Sequence, residues 1–487
     1  MTLLPTLFVL GKWLALDAIR REWPLTNSVA QVAERASRSA EPALAGAGAR
    51  VAQRLRRPLV VAVVGRVSAG KSTLVNAILN TAVSPTAGGE CTRVVYVFRH
   101  GTWTTAVARR RDGSPPLPVA FDGSRLAGTL PLPAAEIEHV EVTLTVPLLE
   151  RATVIDTPGL ASTNSETSAV TQRLLADSEH AAVSADALLF CVNGPIKDDE
   201  AEAVRAFRAG PGQVRLTSGS AVAILTKADE MSEDRRSTLK DAEKLARSMS
   251  EKHADIFGGV IPVVGLLAET ATTGALQESH AWALAELARA WSVDLADGVL
   301  LHRQMFLEQP GPVGSDVRDA LYRLLGRYGI AELLDALRGG TRPDAGALTA
   351  VARRASRYDE MEGRLRTALG PRADMLKAGA ALQVLMDCAR DVGDLGVYDD
   401  AQRLLDRPEM FPLQLLDMSR VLASGRVRPP RGLAEQAWMA VTVGLPRVRR
   451  REAAGYARDW RTWSALTDVA GRSVARVMVR AWQLAAE

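Results

Sequence analysis

The strongest chemical signal in the chain is a glycine-rich run made of Gly65, Arg66, Val67, Ser68, Ala69, Gly70, Lys71, Ser72 and Thr73. An apolar run over 59–64 precedes it and a helical pattern over 74–79 follows it, which is the context of a phosphate-binding P-loop. Glycines let successive backbone N–H groups wrap a polyanion at the N-terminus of a helix. We expect Lys71 to reach the β- and γ-phosphates of a nucleotide and Ser72 to offer its hydroxyl to Mg²⁺.

A second apolar run, over 152–155, ends in Asp156 and is followed shortly by Gly159. Asp156 is expected to hold Mg²⁺ through water. The N–H of Gly159 would lie near the γ-phosphate, so that the segment after it responds to the presence of that phosphate. An isolated Asp and Gly after a strand usually form an ordinary turn. The P-loop upstream favours the nucleotide interpretation instead.

The base is predicted by Thr226, Lys227 and Asp229, which follow the strand-like run 221–225. An Asp carboxylate accepts two hydrogen bonds from the ring N–H and amino group of guanine, a pattern that adenine does not offer, and missing such bonds costs orders of magnitude in discrimination. The aliphatic stem of Lys227 would lie on the base plane. Gly265 and Leu266 fall where a loop closing over the base is expected. The sequence therefore predicts GTP and GDP with Mg²⁺, and not ATP.

These residues resemble the dynamin family, and in particular the actinobacterial dynamin-like proteins of the mycobacterial isoniazid-inducible group. Further similar segments lie at 84–86, 90–95, 262–268 and 373–378, so the resemblance extends over most of the chain. It implies that Thr92 is the switch threonine, which engages Mg²⁺ and the attacking water, with Thr86 as the alternative. It also implies a monovalent cation, K⁺ or Na⁺, held near Ser68.

Two positions depart from relatives that hydrolyse GTP. Val67 stands where eukaryotic dynamins carry a catalytic glutamine, and Leu160 stands where small GTPases place a water-orienting glutamine. The resemblance implies that dimerisation across the nucleotide face assists catalysis. We therefore expect Ser68, Lys71 and Thr92 to act through fixed geometry and charge, with slow turnover until partners meet. A scaffold that binds GTP without hydrolysing it is one alternative.

The elements that position these residues alternate between apolar runs and helical patterns up to about residue 270. Short runs of the kind buried in parallel sheets occur at 59–64, 94–98, 152–155, 187–192, 221–225 and 261–264. This alternation predicts an α/β P-loop GTPase domain with a doubly wound, mostly parallel sheet. The passage between Arg99 and Val146 interrupts it and predicts a β-hairpin elaboration.

After about residue 270, helical spacing dominates and predicts an α-helical bundle. At 487 residues the chain is too long for one ordinary core. The expected division is 58–270 as a dynamin-type GTPase domain and 271–487 as a helical neck and stalk. The resemblance implies that N-terminal helices in 1–57 pack with the C-terminal bundle.

The net charge of +4 is small, but the residues from Arg420 onward hold thirteen arginines against five acidic residues. The resemblance implies a membrane-binding tip near 405–431, where the candidates are Met410, Phe411, Leu413, Leu415 and Leu416, beside arginines that attract acidic lipid. A buried helical turn is the alternative for these apolar residues. An RNA- or ribosome-associated GTPase is the alternative for the arginines, although no RNA-binding motif accompanies them and nucleic acid is not the favoured partner.

The sequence predicts a cytoplasmic protein, because no apolar run is long enough to cross a bilayer and three separated cysteines fit a reducing compartment. The resemblance implies peripheral association with the inner face of the cell membrane, membrane remodelling or tethering, and a role in cell division. It also implies self-association through the GTPase domains, with a second dynamin-like protein as a hetero-partner.

Overall fold

The computed structural model describes residues 24–85, 94–122, 125–126, 129–158, 185–209, 221–253, 256–369, 373–411 and, with short gaps, 414–486. The strands are β1 (Leu59–Gly65), β2 (Tyr96–His100), β3 (Thr105–Arg110), β4 (Leu117–Pro118), β5 (Phe121–Asp122), β6 (Arg125–Leu126), β7 (Ile137–Leu144), β8 (Ala152–Asp156), β9 (Ala187–Val192), β10 (Ala221–Leu225) and β11 (Val260–Pro262). The helices up to the end of the sheet region are α1 (Pro24–Ala36), α2 (Pro42–Leu55), α3 (Lys71–Leu79), α4 (Asp198–Ala209) and α5 (Arg235–Lys252).

Twelve further α-helices lie among the described residues after the last strand. They are α6 (Gly265–Thr272), α7 (Glu278–Ala290), α8 (Val293–Leu300), α9 (Arg303–Glu308), α10 (Ser315–Arg338), α11 (Ala345–Ser356), α12 (Tyr358–Leu369), α13 (Ala373–Val392), α14 (Leu395–Leu405), α15 (Arg431–Thr442), α16 (Arg450–Ser464) and α17 (Val469–Leu484). None of the described helices is long and apolar enough to span a membrane.

Nine of the described strands form one sheet in the order β11-β10-β9-β1-β8-β2-β7-β3-β4. The five strands from β11 to β8 are parallel, and β1 lies between β8 and β9 with every residue buried. β2 runs antiparallel to β8, and β3 runs antiparallel to β7 and β4. The predicted α/β class with a mostly parallel sheet is confirmed, and the antiparallel strands fill the region where the sequence pattern is interrupted.

The described residues divide into two compact units. One unit holds those within Pro58–Gln213 and Ser218–Gly370, and its core joins the sheet to α6, α7, α10 and α11. This unit therefore continues past residue 270, where the sequence pattern changes from strands to helices. The assignment of these helices to a neck stays a prediction.

The other unit holds the described residues within Met1–Arg57 and Pro371–Glu487. In it α1 and α2 pack against α13, and two side chains of α13 bind their ends. Asp374 accepts the N–H groups of Leu25 (3.1 Å) and Thr26 (2.8 Å) at the start of α1. Buried Lys377 donates to the carbonyls of Leu55 and Arg57 at the end of α2. These contacts satisfy backbone groups that a helix leaves unpaired at its termini.

Candidate nucleotide-binding site

The predicted nucleotide residues come together at one edge of the sheet. The P-loop follows β1, Asp156 ends β8, and Thr226 follows β10, and these strands run parallel in the same half of the sheet. The chain passes from β8 on one side of β1 to β9 on the other. Such a switch point, at the carboxyl ends of parallel strands, is where open α/β sheets bind ligands.

The P-loop backbone depends on glycine at two places. Gly65 has φ 149°, and a Cβ there would lie 2.3 Å from the carbonyl oxygen of Cys191. Gly70 has φ 75°, and a Cβ there would lie 3.1 Å from the side chain of Thr226. Ser68 also has a positive φ, 62°, which is uncommon for a residue with a side chain. The loop is thus held in a conformation that brings backbone close to whatever it binds.

Helix α3 begins at Lys71, and its N-cap, Gly70, provides no side-chain hydrogen bond to the first turn. The unpaired N–H groups and the positive end of the helix dipole suit a phosphate there. Thr226 fixes the loop from behind, because its Oγ1 donates to Ala69 O (2.8 Å) and lies 3.1 Å from Val192 O. Thr226 therefore ties the P-loop to the end of β9 and to the segment that follows β10.

Lys71 is buried and its Nζ donates to Arg66 O at 2.8 Å. Burial lowers the pKa of the Lys71 ammonium, while the charges of Asp156 and Cys191 act in the opposite direction. A carbonyl is a weaker partner for an ammonium than a phosphate is. Lys71 is therefore placed to exchange this contact for a phosphate oxygen.

The guanidinium of Arg66 is paired with two acidic residues at the start of α4. Its guanidinium pairs with Asp199, and its Nε lies 2.8 Å from Glu200 Oε1. The side chain of Val67, in contrast, is 58% exposed. The middle of the loop thus presents an apolar side chain to solvent.

The site fits Mg²⁺ at Asp156. This carboxylate is buried, Oδ2 accepts from Ser84 Oγ at 2.7 Å, and Oδ1 has no hydrogen-bond partner among the described residues. Burial raises the pKa of Asp156, opposed by hydrogen bonds from Ser84 and Ser72 and by the charge of Lys71. A buried carboxylate oxygen without a partner is costly. A hydrated Mg²⁺ held between Ser72 and Asp156 would supply the missing partner.

Sequence reasoning missed the support for this carboxylate. Asn76, one turn into α3, accepts the N–H groups of Val83 (3.0 Å) and Ser84 (2.7 Å) and donates to Ser84 O (3.1 Å) and Glu269 Oε1 (2.7 Å). The network fixes Ser84, which in turn binds Asp156. The only sequence signal was the similarity of the segment that contains Ser84 to the dynamin family.

The predicted base-recognition residues lie on two segments that are bonded to each other. Thr226, Lys227 and Asp229 follow β10, whereas Gly265 and Leu266, which were expected in a loop, form the first residues of helix α6. Gly265 N donates to Thr226 O at 2.8 Å, and Lys227 forms an isolated bridge with Val264. A Cβ at Gly265 would lie 3.1 Å from Thr226 O, so only glycine fits without a shift. Burial raises the pKa of Asp229 to about 6. The ammonium of Lys227 lies 3.1 Å from Glu230 Oε1.

Some predicted site residues lie outside the described residues: Thr86, Thr92, Gly159, Leu160, Leu413 and Leu416. The structure places Met410 and Phe411, two of the membrane candidates, in the helical core, with relative exposures of 0% and 9%. Leu415 packs partly buried against the same core. In this arrangement Met410 and Phe411 are not available to a bilayer.

A family model and curated relatives both match this chain. A model of the dynamin family matches residues 61–187. The isoniazid-induced protein IniC of Mycobacterium tuberculosis, in strains CDC 1551 and H37Rv, is 30% identical over 339 residues, which is 68% of this chain and 67% of that protein.

Among solved structures, an oligomerised bacterial dynamin pair, described as providing a mechanism for long-range sensing and tethering of membranes, is similar with a TM-score of 0.37 and 13% identity. The match covers 95% of this chain and 73% of the other chain. The extent and identity of the match to the mycobacterial proteins, together with the family model, establish the family of this chain. The chain belongs to the dynamin family of GTPases.

Proposed function

We propose that this chain binds GTP with Mg²⁺ and hydrolyses it to GDP and phosphate. The observation that carries the proposal is that buried Lys71 and Asp156, whose Oδ1 has no hydrogen-bond partner among the described residues, lie beside a helix N-terminus without a side-chain cap. An ammonium, a metal-binding carboxylate and free N–H groups together fit a triphosphate. Mg²⁺ supplies neutralisation of phosphate charge when bound.

In this proposal the residues of the chain position the phosphates and stabilise charge. Lys71 transfers its hydrogen bond from Arg66 O to the β- and γ-phosphates, and Thr226 keeps the loop fixed through Ala69 O. Preorganised donors of this kind stabilise developing charge without reorganising during the reaction. By family membership, Thr92 is proposed to engage the attacking water, and a monovalent cation is proposed to bind near Ser68.

Acceleration comes from a second copy of the GTPase domain. Val67 exposes an apolar side chain at the loop, so this position carries no group that could orient water. A partner domain across this face would exclude bulk water and fix the reacting geometry.

The test is the GTPase rate measured against protein concentration, with ATP as the control nucleotide. We expect GTP turnover per molecule to rise with protein concentration and the rate of ATP hydrolysis to stay at background. A GTP rate at background over the whole range would contradict hydrolysis and favour a GTP-binding scaffold.

The second part of the proposal is contact with anionic lipid at the inner face of the cell membrane. Family membership suggests it, and the turn between α16 and α17 supplies a surface. Leu466 and Val469 are 81% and 74% exposed there, and the exposed arginines Arg461 and Arg472 lie on either side of the turn. Asp468 is occupied as the N-cap of α17, where it accepts from Gly471 N. Exposed aliphatic groups flanked by cations suit a surface of acidic headgroups.

Co-sedimentation with phosphatidylcholine vesicles, with and without phosphatidylglycerol, tests this surface. The double change Leu466→Glu with Val469→Glu should weaken binding to the acidic vesicles about tenfold. Leu395→Glu is the matched control, because Leu395 is 72% exposed at the start of α14. Equal losses in both variants, or no loss in either, would exclude the turn as the lipid contact.

A further inference from the structure

Helix α10 breaks next to the loop that is expected to close over the base. Gly326 interrupts the helix with φ 63° and ψ 176°, and Leu324 O, within one turn of the break, accepts from Thr270 Oγ1 at 2.5 Å. A Cβ at Gly329 would lie 2.9 Å from Leu267 Cδ1. The close approach fixes α10 against α6, which begins at the base-loop residue Gly265.

Directly after the break, α10 reaches the second base loop. Arg327 and Tyr328 line a cavity of about 130 Å³ together with Asp229. Arg327 Nη2 donates to Ser232 O at 3.2 Å, which anchors the guanidinium to the segment that follows Asp229. The kink thus presents a cation beside the carboxylate that selects guanine.

The charges around Asp229 come from four elements. The groups that face it or line the same cavity are Lys227 and Glu230 from its own loop, Glu233, Asp234 and Arg235 around the start of α5, Asp297 from α8, and Arg327 and Tyr328 from α10.

Two of the three cations among these groups are already engaged by acids. Lys227 pairs with Glu230, and Arg235 pairs with Asp297 (2.9 Å) and Asp335 (2.6 Å). For Arg327 the structure of the described residues gives a carbonyl bond and no ion pair. Among the described residues, no acid pairs with the Arg327 guanidinium, so its positive charge can stabilise the ionised carboxylate of Asp229 across the cavity that both line. Burial raises the pKa of that carboxyl to about 6, and the charges of Lys227 and Arg327 oppose the rise.

We propose that Arg327 is a positioning residue for purine selection: its guanidinium keeps the Asp229 carboxylate ionised and oriented for the two N–H donors of guanine. This inference rests on the proposed binding of GTP. It extends the base site to a helix that lies beyond every recognisable nucleotide motif in the sequence.

The pH dependence of GTP affinity tests the inference, measured by calorimetry between pH 5.5 and 8 on the full chain. Guanine needs the ionised carboxylate, so wild-type affinity should be constant above pH 7 and fall tenfold per unit below about pH 6. Without the guanidinium the carboxyl protonates more readily. Arg327→Gln should therefore move the fall to higher pH and weaken binding at pH 6 about threefold, with a smaller loss at pH 7.

Arg327→Lys keeps the charge and should restore most of the affinity and the wild-type profile. Arg323→Gln, on the same helix at an exposed ion pair with Asp319, is the matched control and should match wild type. A loss of packing lowers affinity equally at every pH. An unshifted profile in Arg327→Gln would therefore overturn the inference even if that variant were less stable.

A double substitution tests whether Arg327 acts through the carboxylate of Asp229. In an Asp229→Asn background, probed with xanthosine triphosphate, Arg327→Gln should change affinity by less than about twofold, because no carboxylate remains to be held. A tenfold loss in that background would also overturn the inference. If wild-type protein binds no GTP, the proposed function fails; if it binds GTP and Arg327→Gln behaves like Arg323→Gln, only the role of Arg327 fails.

Discussion

Two regions of the molecule differ in how clearly the sequence reveals their properties. One is the edge of the sheet that carries the P-loop, and the other is the helical unit built from the described residues of 24–57 and 373–486. At the nucleotide edge, Gly65 and Gly70 adopt backbone angles that few other residues tolerate, so their chemistry is visible in a short stretch of sequence. In the helical unit, Met410 and Phe411 are buried while Leu466 and Val469 are exposed, although all four are ordinary apolar residues.

The difference lies in the range of the interactions that decide each position. A P-loop is specified by local backbone geometry and by the strand and helix on either side of it. The exposure of an apolar residue on a helix depends on which partners cover it, and those partners are distant in sequence. Asp374, at the start of α13, shows the same long range, because it lies about 350 residues along the chain from the N–H groups of α1 that it binds.

The largest expected effect concerns the local motif. Lys71→Ala should reduce GTP turnover about 1,000-fold, because it removes the ammonium expected to meet the β- and γ-phosphates. Phosphate release by purified variant provides the measurement, and Lys244→Ala, at an exposed ion pair with Asp241, is the control. Unchanged turnover in Lys71→Ala would show that the chemistry takes place elsewhere.

The helical unit should respond to a residue that no motif marks. Lys377→Met leaves the carbonyls of Leu55 and Arg57 without their buried donor, at a cost of about 2–3 kcal/mol. Amide hydrogen exchange over 50–57 should accelerate about 30- to 100-fold. The exposed Lys240→Met should leave this exchange unchanged. Unaltered protection in Lys377→Met would mean that the end of α2 is held by packing alone.

The preference for guanine over xanthine should depend on the carboxylate of Asp229. Asp229→Asn replaces an acceptor by a donor where guanine presents its amino group, so the preference for GTP over xanthosine triphosphate should fall about 100-fold or more. Competition between the two nucleotides measures the ratio directly. A ratio equal to that of wild type would remove Asp229 from the base site.

The smallest effect is expected at Ser84, one of the supporting residues that the sequence did not predict. Ser84→Ala removes the hydroxyl that donates to Asp156 Oδ2, so the Mg²⁺ concentration at half-maximal GTPase rate should rise about tenfold. Nucleotide affinity in the presence of a chelator should not change. If the Mg²⁺ requirement is unaffected, Asp156 is oriented by Ser72 and the backbone instead.

Much of the fold was predictable because strands buried in a parallel sheet are continuous apolar runs, and β9 and β10 match the predicted bounds. The terminal helix α17 has an apolar stripe at helical spacing in the sequence, formed by Ala470, Val474, Val477, Ala481 and Leu484. Val474 and Ala481 are buried, whereas Leu484 is 46% exposed and the buried residues Ala475 and Met478 lie outside the stripe. Periodicity gives a helix but locates its covered face only approximately, since neighbouring helices decide which side is covered.

At the site, Lys71, Asp156 and Asp229 were predictable because phosphate, metal and guanine each require one residue type after a strand. Asn76, Ser84 and Arg327 were not, because an amide, a hydroxyl or a guanidinium that supports another side chain leaves no spacing rule. Their roles depend on chain segments that meet only in the folded unit.

Binding of GTP itself is best measured by calorimetric titration of the purified chain, with and without Mg²⁺. We expect saturable heat for GTP that is larger with Mg²⁺, and no heat for ATP or for GTP with the Lys71→Ala variant. No heat for any guanine nucleotide in folded, Mg²⁺-replete protein would contradict the proposed binding.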